Sequence, residues 1–326
     1  MLRVRRTGMT CDILLQDFHV KKMRVLDKKK LEFNSVDGRD VYNITAPFKD
    51  NGEWTIAGRV EERDSEESNI VFFNERSGIW TPMEDGPVFP MQDPFFSCIG
   101  GELVLGGVQT FPNPAEPGAL LWRTVFYRGS SVRMLMPFFV GPDGMKDLRL
   151  VELNDGRIGV FTRPQGVKGG RGKIGFVIVR SLEELTVELI AEAPLLEEQF
   201  IETEWGGVNE ARMLANGLIG VLGHIARFDM DGNRGYYPMV FALDPDTGAF
   251  TDIEVIAVRS NFDLGPSKRP DLTDVVFSGG LVRSDDGTAI LYAGISDAEA
   301  HCLKIPDPFL RLEALDRSVI TPVNFY

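Results

Sequence analysis

An all-β fold, a five-bladed β-propeller, is what this sequence predicts, and three observations predict it. Short runs rich in β-branched and aromatic residues recur at 69–73, 102–108, 157–161, 174–179, 218–222, 238–243 and 289–293. Turn signals separate them: Asn51-Gly52, Asp155-Gly156, Asp231-Gly232, Asp246-Thr247-Gly248 and Asp286-Gly287. Such dipeptides suit hairpins because Gly tolerates positive φ. Third, five strand-rich stretches each carry charged or amide residues at an equivalent place, and radially repeated four-stranded sheets bring such places together on one axis.

In chain order, 1–35 is a leader, 36–312 holds the five blades and 313–326 is a tail, all within one domain spanning 1–326. The leader starts basic, but its apolar run at 13–15 is too short for a signal-peptide core. Its part at 22–33, and the tail after Leu310, are expected to supply strands that close the ring. The units fall at roughly 36–85, 90–140, 141–200, 201–258 and 270–312. Their similarity is structural and not a consensus repeat. Helical patterns are scarce, and 181–189 reads as a short helix or an edge strand. Only 112–117 and 262–270 look like long loops, and neither resembles a linker between domains.

Composition narrows the function classes. With 43% hydrophobic residues in 326, the chain can bury a real core, yet no stretch of about 18 apolar residues could span a membrane. The expectation is a cytoplasmic protein with no membrane partner, and a homo-oligomer is as open as a monomer. Cys11, Cys98 and Cys302 are scattered and fit reduced thiols. A net charge of −13 argues against nucleic acid, which needs a basic surface. It also makes any inward cluster of cations notable, because buried cations need an anion.

Two motifs tempt and fail. Gly170-Arg171-Gly172-Lys173-Ile174-Gly175 matches GxGxxG, but a strand follows where a dinucleotide site needs a helix, so it reads as a hairpin loop. Asp229-Met230-Asp231 begins like a calcium loop, but Arg234 stands where that loop needs Gly and Val240 where it needs Glu. A hairpin turn is the better reading. With three histidines in the chain, a multi-histidine metal site is not expected.

One constellation survives. Asp93 precedes Pro94 among apolar residues, a setting that favours a proton donor; the plain alternative is an Asp-Pro turn. Lys146, Arg163 and His224, from neighbouring units, could grip a phosphate as three cations. The alternative there is pairing with Asp147 or Glu210. Arg149 joins this set if its face of the strand points inward. Asn43, Arg59, Glu61, Asn209, Glu210, Asp274 and Asp297 offer the mixed donors and acceptors that sugar hydroxyls require. Tyr42, Phe95, Trp205, Tyr236 and Tyr237 could stack on pyranose faces, although most propeller aromatics pack between blades.

Taken in order, these residues resemble the mannosyltransferase/phosphorylases of glycosyltransferase family 108 and, more distantly, the mannoside phosphorylases of glycoside hydrolase family 130. The likeness runs over nearly the whole chain after the leader. Asn43 with Ala46-Pro47, and Gly58-Arg59-Val60-Glu61, resemble the first-blade sugar pattern; Gln92-Asp93-Pro94-Phe95 resembles the catalytic-aspartate segment. Lys146-Asp147, Arg163-Pro164 and Gly223-His224 resemble phosphate-binding segments, and the stretch from Tyr292 to Asp297 resembles the last-blade sugar contact. Phe95 replaces the Arg usual after Asp-Pro in the phosphorylases, and Ile225 replaces the Gly that usually follows the His.

The resemblance implies a five-bladed propeller and an inverting reaction on β-1,2-linked mannose. Asp93 would be general acid, directly or through a sugar hydroxyl. Phosphate held by Lys146, Arg163 and His224 would attack the anomeric carbon and release α-mannose 1-phosphate. In reverse, mannose 1-phosphate or GDP-mannose would donate to a β-1,2-mannan oligosaccharide. No metal or other cofactor is implied, since protein cations neutralise the phosphate. Two other readings stay open: a propeller glycoside hydrolase using Glu61 or Glu210 to activate water, and a non-catalytic scaffold whose cations are spent in salt bridges.

Overall fold

The structure, a computed structural model, describes residues 9–317 and is mostly β. The leader contributes helix α1 (Cys11–Lys21), strand β1 (Asp27–Lys30) and β2 (Glu32–Phe33). Thr10 caps α1, its hydroxyl accepting from the Ile13 N–H, while Leu14 and Phe18 stack one turn apart on the buried face. Sequence reading placed no helix here. The signal was a capping Thr and an i, i+4 apolar pair in a short run.

Five antiparallel meanders follow. The first holds β3 (Asp40–Tyr42), β4 (Phe48–Asp50), β5 (Glu53–Glu61), β6 (Asn69–Arg76) and β7 (Ile79–Pro82). The second is β8 (Gln92–Ile99), β9 (Glu102–Pro112), β10 (Leu120–Gly129) and β11 (Met136–Val140). The third is β12 (Arg149–Glu152), β13 (Ile158–Thr162) and β14 (Gly175–Val179), with α2 (Gly166–Gly169) in its hairpin loop and α3 (Val187–Glu192) after it. The fourth is β15 (Trp205–Met213), β16 (Ile219–Phe228), β17 (Arg234–Leu243) and β18 (Glu254–Val255). The fifth is β19 (Asp274–Arg283), β20 (Thr288–Ile295) and β21 (Glu299–Pro306), ending at α4 (Leu310–Glu313).

The apolar core is partitioned at the junctions between meanders. Phe72 and Leu105 meet in a cluster between the first and second, and Phe126 and Val160 between the second and third. Phe161 and Phe241 share one between the third and fourth, and Leu222 and Leu291 one between the fourth and fifth. A last cluster joins Ile56 and Phe73 to Ala300 and Tyr292, so the fifth meander packs on the first. Each fully buried Phe or Leu contributes about 1.5–3 kcal/mol, which makes these junctions the main adhesive.

The leader completes that last junction. β1 adds antiparallel to β21, and β2 adds parallel to β7, so one short segment ties both ends of the chain together. The strands expected at 22–33 are therefore present. The tail differs from expectation: after Leu310 the chain forms α4, whose Leu312 is buried, and not a strand. Residues 318–326 of the expected tail, with the first eight residues, lie outside the described residues. At 181–189 a 3-10 turn leads into α3, which excludes the edge-strand alternative. Among the described residues no helix is long and apolar enough to cross a membrane.

The first strands of the second to fifth meanders touch in series: β8 meets β12, β12 meets β15 and β15 meets β19. β8 also meets β5 of the first meander, and β19 returns to the chain after β3, where Ala46 N–H donates to Gly279 O at 3.2 Å. At Gly279 a Cβ would run into the Ile44 carbonyl, so this close approach requires glycine. Three of these first strands are irregular: the register shifts at Gln92/Phe95, Val208/Glu210 and Ser278/Gly280. Bulges re-aim side chains, and two of these carry Asp93 and Asn209.

Candidate active site

Four acidic or amide residues here have left-handed backbones: Asn43 (φ 43°), Asp93 (φ 50°), Asp147 (φ 61°) and Asp297 (φ 49°). Asn and Asp visit this region more readily than other non-glycine residues, and such conformations collect at functional sites. They divide into two clusters.

The first cluster surrounds Asp93, which is buried. Its Oδ1 accepts from Asn43 Nδ2 at 2.8 Å and from Arg59 Nη1 at 3.2 Å. The burial expected for Asp93 among apolar residues is met, but a guanidinium and an amide hold its carboxylate. Arg59 also donates to Glu61 Oε2 through Nη2 at 2.8 Å and to Ser68 Oγ at 2.9 Å. Burial disfavours the Arg59 cation, but Asp93, Tyr42 and Glu61 more than compensate. Glu61 accepts from four side chains, Tyr42, Arg59, Ser68 and Lys268. Burial alone would raise its carboxyl; Arg59 and these hydrogen bonds override that and hold it below the usual range. Half-buried Asp297 stands in the fields of Arg59, Asp93, Lys268 and Glu61, and burial pushes its carboxyl up.

The second cluster surrounds Asp147. Arg163 Nη1 lies 3.4 Å from its Oδ2, and Arg149 Nη2 lies 3.9 Å from its Oδ1. Arg149 faces inward, donating to Asn209 O at 2.8 Å and lying 3.6 Å above the Phe95 ring. Phe95, the departure noted after Asp93-Pro94, is thus the platform under an arginine. Burial lowers Arg149 to about 10, against Asp147 and Asp93, so it stays charged at neutral pH. For Asp147 burial works upward, but Arg163 and its neighbours outweigh it and the carboxyl is held low. His224 is 2.8 Å from Asn209 Oδ1 through Nδ1. Burial lowers it to about 3, more than Asp147 can offset. That corrects the expectation of three cations: His224 is a neutral ring, and the charge comes from Lys146, Arg149 and Arg163.

Arg163 Nη1, Asp147 Oδ2 and Asn209 Nδ2 are buried without a hydrogen-bond partner among the described residues. Buried polar atoms are nearly always satisfied, so three orphans together mark a place built for a polar ligand. Gly207 keeps it open, since a Cβ there would come within 2.9 Å of both Arg163 Cδ and His224 Cε1. Lys146, Arg163, Gln165 and Tyr236 help line a cavity of about 240 Å³ beside it. Tyr236 stacks on His224 at 5.4 Å, and Trp205 Nε1 donates to Tyr236 Oη at 3.1 Å.

Two residues read as sugar contacts lie elsewhere. Glu210 is taken by Arg212 and by the Leu281 N–H at 2.6 Å, tying β15 to β19. Asp274 is exposed and accepts from Tyr237 Oη at 2.6 Å, which also takes Tyr237 away from a stacking role. Sequence reading missed Lys268 and Ser68. Lys268 descends from the 262–270 loop, its side chain 5% exposed, and bridges Glu61 to Glu66 Oε1 at 3.1 Å. The Asp229–Asp231 segment is a hairpin turn, and the GxGxxG segment belongs to the β13–β14 hairpin loop.

A family model described as "Protein of unknown function (DUF1861)" matches residues 17–311. No curated protein matches the chain. Among solved structures, the chain is similar to a mannose phosphorylase from Leishmania mexicana, in complex with phosphate ion, at 37% identity. That match covers 92% of this chain and 94% of the other with a TM-score of 0.85. A GDP-Man-dependent mannosyltransferase from the same organism is 32% identical over 92% and 95% of the two chains, with a TM-score of 0.83. A β-1,2-mannobiose phosphorylase from Listeria innocua, at 12% identity over 90% and 95%, shares the fold with a TM-score of 0.61.

Proposed function

The chain belongs to the DUF1861 family and to the mannosyltransferase/phosphorylases of glycosyltransferase family 108, relatives of the mannoside phosphorylases of glycoside hydrolase family 130; from that premise we propose an inverting β-1,2-mannosyltransferase/phosphorylase. The five meanders are read as the blades of one propeller domain, with the first strands nearest its axis. Asp93 is the general acid. Asn43, Arg59, Asn209 and Asp297 bind the reacting mannose, and Lys146, Arg149, Arg163 and His224 bind phosphate. Glu61 positions Arg59 and Lys268.

In phosphorolysis a phosphate oxygen bonds to the anomeric carbon as the glycosidic C–O bond breaks on the opposite face. The departing sugar oxygen takes the Asp93 proton, and α-mannose 1-phosphate results. In synthesis the same carboxylate takes the acceptor hydroxyl proton while phosphate leaves from mannose 1-phosphate, or GDP from GDP-mannose. The three cations stabilise the phosphate charge by preorganised electrostatics. Neutral His224 spends its Nδ1–H on Asn209 Oδ1 and so offers Nε2 as an acceptor, which suits a phosphate that keeps a proton. The scheme invokes no metal or other cofactor, and we read the protein as cytoplasmic.

One observation carries this reading: the Asp93 carboxylate, fixed by Asn43 and Arg59, acts electrostatically on Arg149, a member of a cationic cluster that retains unsatisfied buried donors. It also disfavours hydrolysis, because Glu61 and Glu210 are both committed to other side chains. Incubation with a β-1,2-mannan oligosaccharide should yield α-mannose 1-phosphate only when inorganic phosphate is present. Asp93→Asn should slow that reaction by about 10²–10⁴-fold while mannan still binds. Free mannose formed without phosphate would overturn the assignment in favour of a hydrolase.

A further inference from the structure

Asp297 differs from the other carboxylates of its cluster. Asp93 and Glu61 are fixed by donors from other side chains, whereas the Asp297 carboxylate accepts no hydrogen bond among the described residues. Its direction therefore comes from its backbone. That backbone is the tight turn between β20 and β21, closed by the Ala298 N–H donating to Ile295 O at 3.0 Å. Ser296 (φ 54°) and Asp297 (φ 49°) both stand in the left-handed region. Hairpin turns with two successive positive φ angles normally carry Asn-Gly or a similar pair. Asp tolerates the conformation. Ser has no such preference, and it persists there only where its surroundings over-determine it.

The surroundings do so. Ser296 is fully buried, and residues between Arg259 and Val275 engage each of its polar groups. Its N–H donates to Val275 O at 2.8 Å, and its carbonyl accepts the Lys268 N–H at 3.0 Å. The hydroxyl donates to Thr273 O at 2.9 Å and accepts from Arg259 Nε at 3.1 Å. Arg259 is itself braced, its Nη1 donating to Asp263 O at 2.8 Å. One segment thus holds two parts of the sugar cluster, since Lys268 grips Ser296 through its backbone and Glu61 through its ammonium. Phe262 pins this segment against His301, with ring centres 5.9 Å apart, and Asp263 pairs with Lys28 of β1 at 2.7 Å.

We propose that Ser296 is a positioning residue for the transfer: gripped by the 259–275 segment, it holds the strained turn that aims the Asp297 carboxylate at a hydroxyl of the reacting mannose. This rests on the assignment of Asp297 to mannose above. A carboxylate bound by protein donors is rigid but has fewer lone pairs for a ligand. Fixing Asp297 through its backbone keeps both oxygens open to the sugar and still limits their wandering, which is what orientation of a reacting group requires. A serine that merely filled the core would affect stability alone.

A double-mutant cycle on the full chain separates the two roles. Ser296→Ala removes the hydroxyl and should lower kcat/KM for a β-1,2-mannan oligosaccharide by about 10–100-fold, with KM for inorganic phosphate unchanged. Asp297→Gly removes the carboxylate and suits the left-handed turn. In that background Ser296→Ala should change kcat/KM by less than about twofold. Ser296→Gly relieves the strain without restoring a hydroxyl, so it should melt no lower than Ser296→Ala yet remain as slow. An equal loss from Ser296→Ala with and without Asp297, or parental activity in Ser296→Gly, would overturn the positioning role. Parental kcat/KM in Asp297→Gly alone would remove Asp297 from the sugar site, and an unaltered chain that does not phosphorolyse mannan would remove the proposed function. Either outcome takes this assignment with it.

Discussion

The two buried charge clusters are built from the same residue types but are wired differently. Around Asp93, carboxylates and cations close on one another: Arg59 reaches Asp93, Glu61 and Ser68, and Lys268 reaches Glu61 and Glu66. Around Asp147, two arginines pair with one carboxylate in the added field of Lys146, a neutral histidine stands by, and donors remain unspent. The closed network is a scaffold that fixes one carboxylate, the one assigned to a neutral sugar in the proposed function. The open one has surplus positive charge, which only an anion can balance. Interactions saturated before a ligand arrives add to stability, whereas unsatisfied ones are available to a transition state.

The open side should therefore give the largest kinetic effect. Arg163→Lys keeps the charge but loses the fork that donates to Gly206 O at 2.8 Å and faces Asp147. Loss of one oriented donor to developing negative charge typically costs about 10²–10³-fold in rate. We expect kcat/KM for phosphate to fall by about that factor, with affinity for a mannan oligosaccharide nearly unchanged. Initial rates against phosphate at saturating mannan measure it. An unaltered phosphate dependence would erase the distinction between the clusters.

The closed side should respond in stability. Glu61→Gln leaves Arg59 and Lys268 buried with a neutral partner, and breaking a buried pair on one side typically costs about 3 kcal/mol or more. Denaturant unfolding gives the value. The pH dependence has a definite sign, because the folded Glu61 carboxyl is held below its ordinary range. Its contribution is complete above the unfolded value, near 4.3, and fades as acid titrates the folded group. The gap between the two proteins should thus be full at pH 7 and shrink below about pH 4. A constant gap down to acid would remove the charge network as its cause.

Which parts were legible follows from how local each signal is. Asp93, Asn43, Asp147 and Asp297 occupy left-handed backbone that favours Asx residues, so a turn chemistry readable in sequence marks them. The strand runs and Asp-Gly turns are equally local. Lys268 was not readable, because its partner Glu61 lies 207 residues away and only the assembled meanders bring the loop back. Glu210 was misread for another reason. The shift at Val208/Glu210 breaks the strict alternation of β15 and turns Glu210 toward Leu281. A bulge has no reliable sequence signature, and neighbouring polar residues look equivalent without it.

His224 sharpens the comparison most finely, since near neutral pH its variant should change least. The folded ring is held near 3 by burial, whereas an unfolded histidine titrates near 6.5. Folding thus favours the neutral form. The stability this provides is complete above about pH 6.5 and is lost progressively as pH falls toward 3, while the unfolded chain takes up a proton the folded one refuses. In His224→Gln that proton uptake disappears, and an amide still pairs with Asn209. The variant should lose less thermal stability than the parent between pH 6.5 and pH 3, although the two differ little at pH 7. A parent acid profile matched by the variant would mean that the folded ring takes up its proton as readily as the unfolded one, near pH 6.5. The phosphate cluster would then gain a fourth cation below that pH, and its hydrogen-bonding member would be neutral only above it.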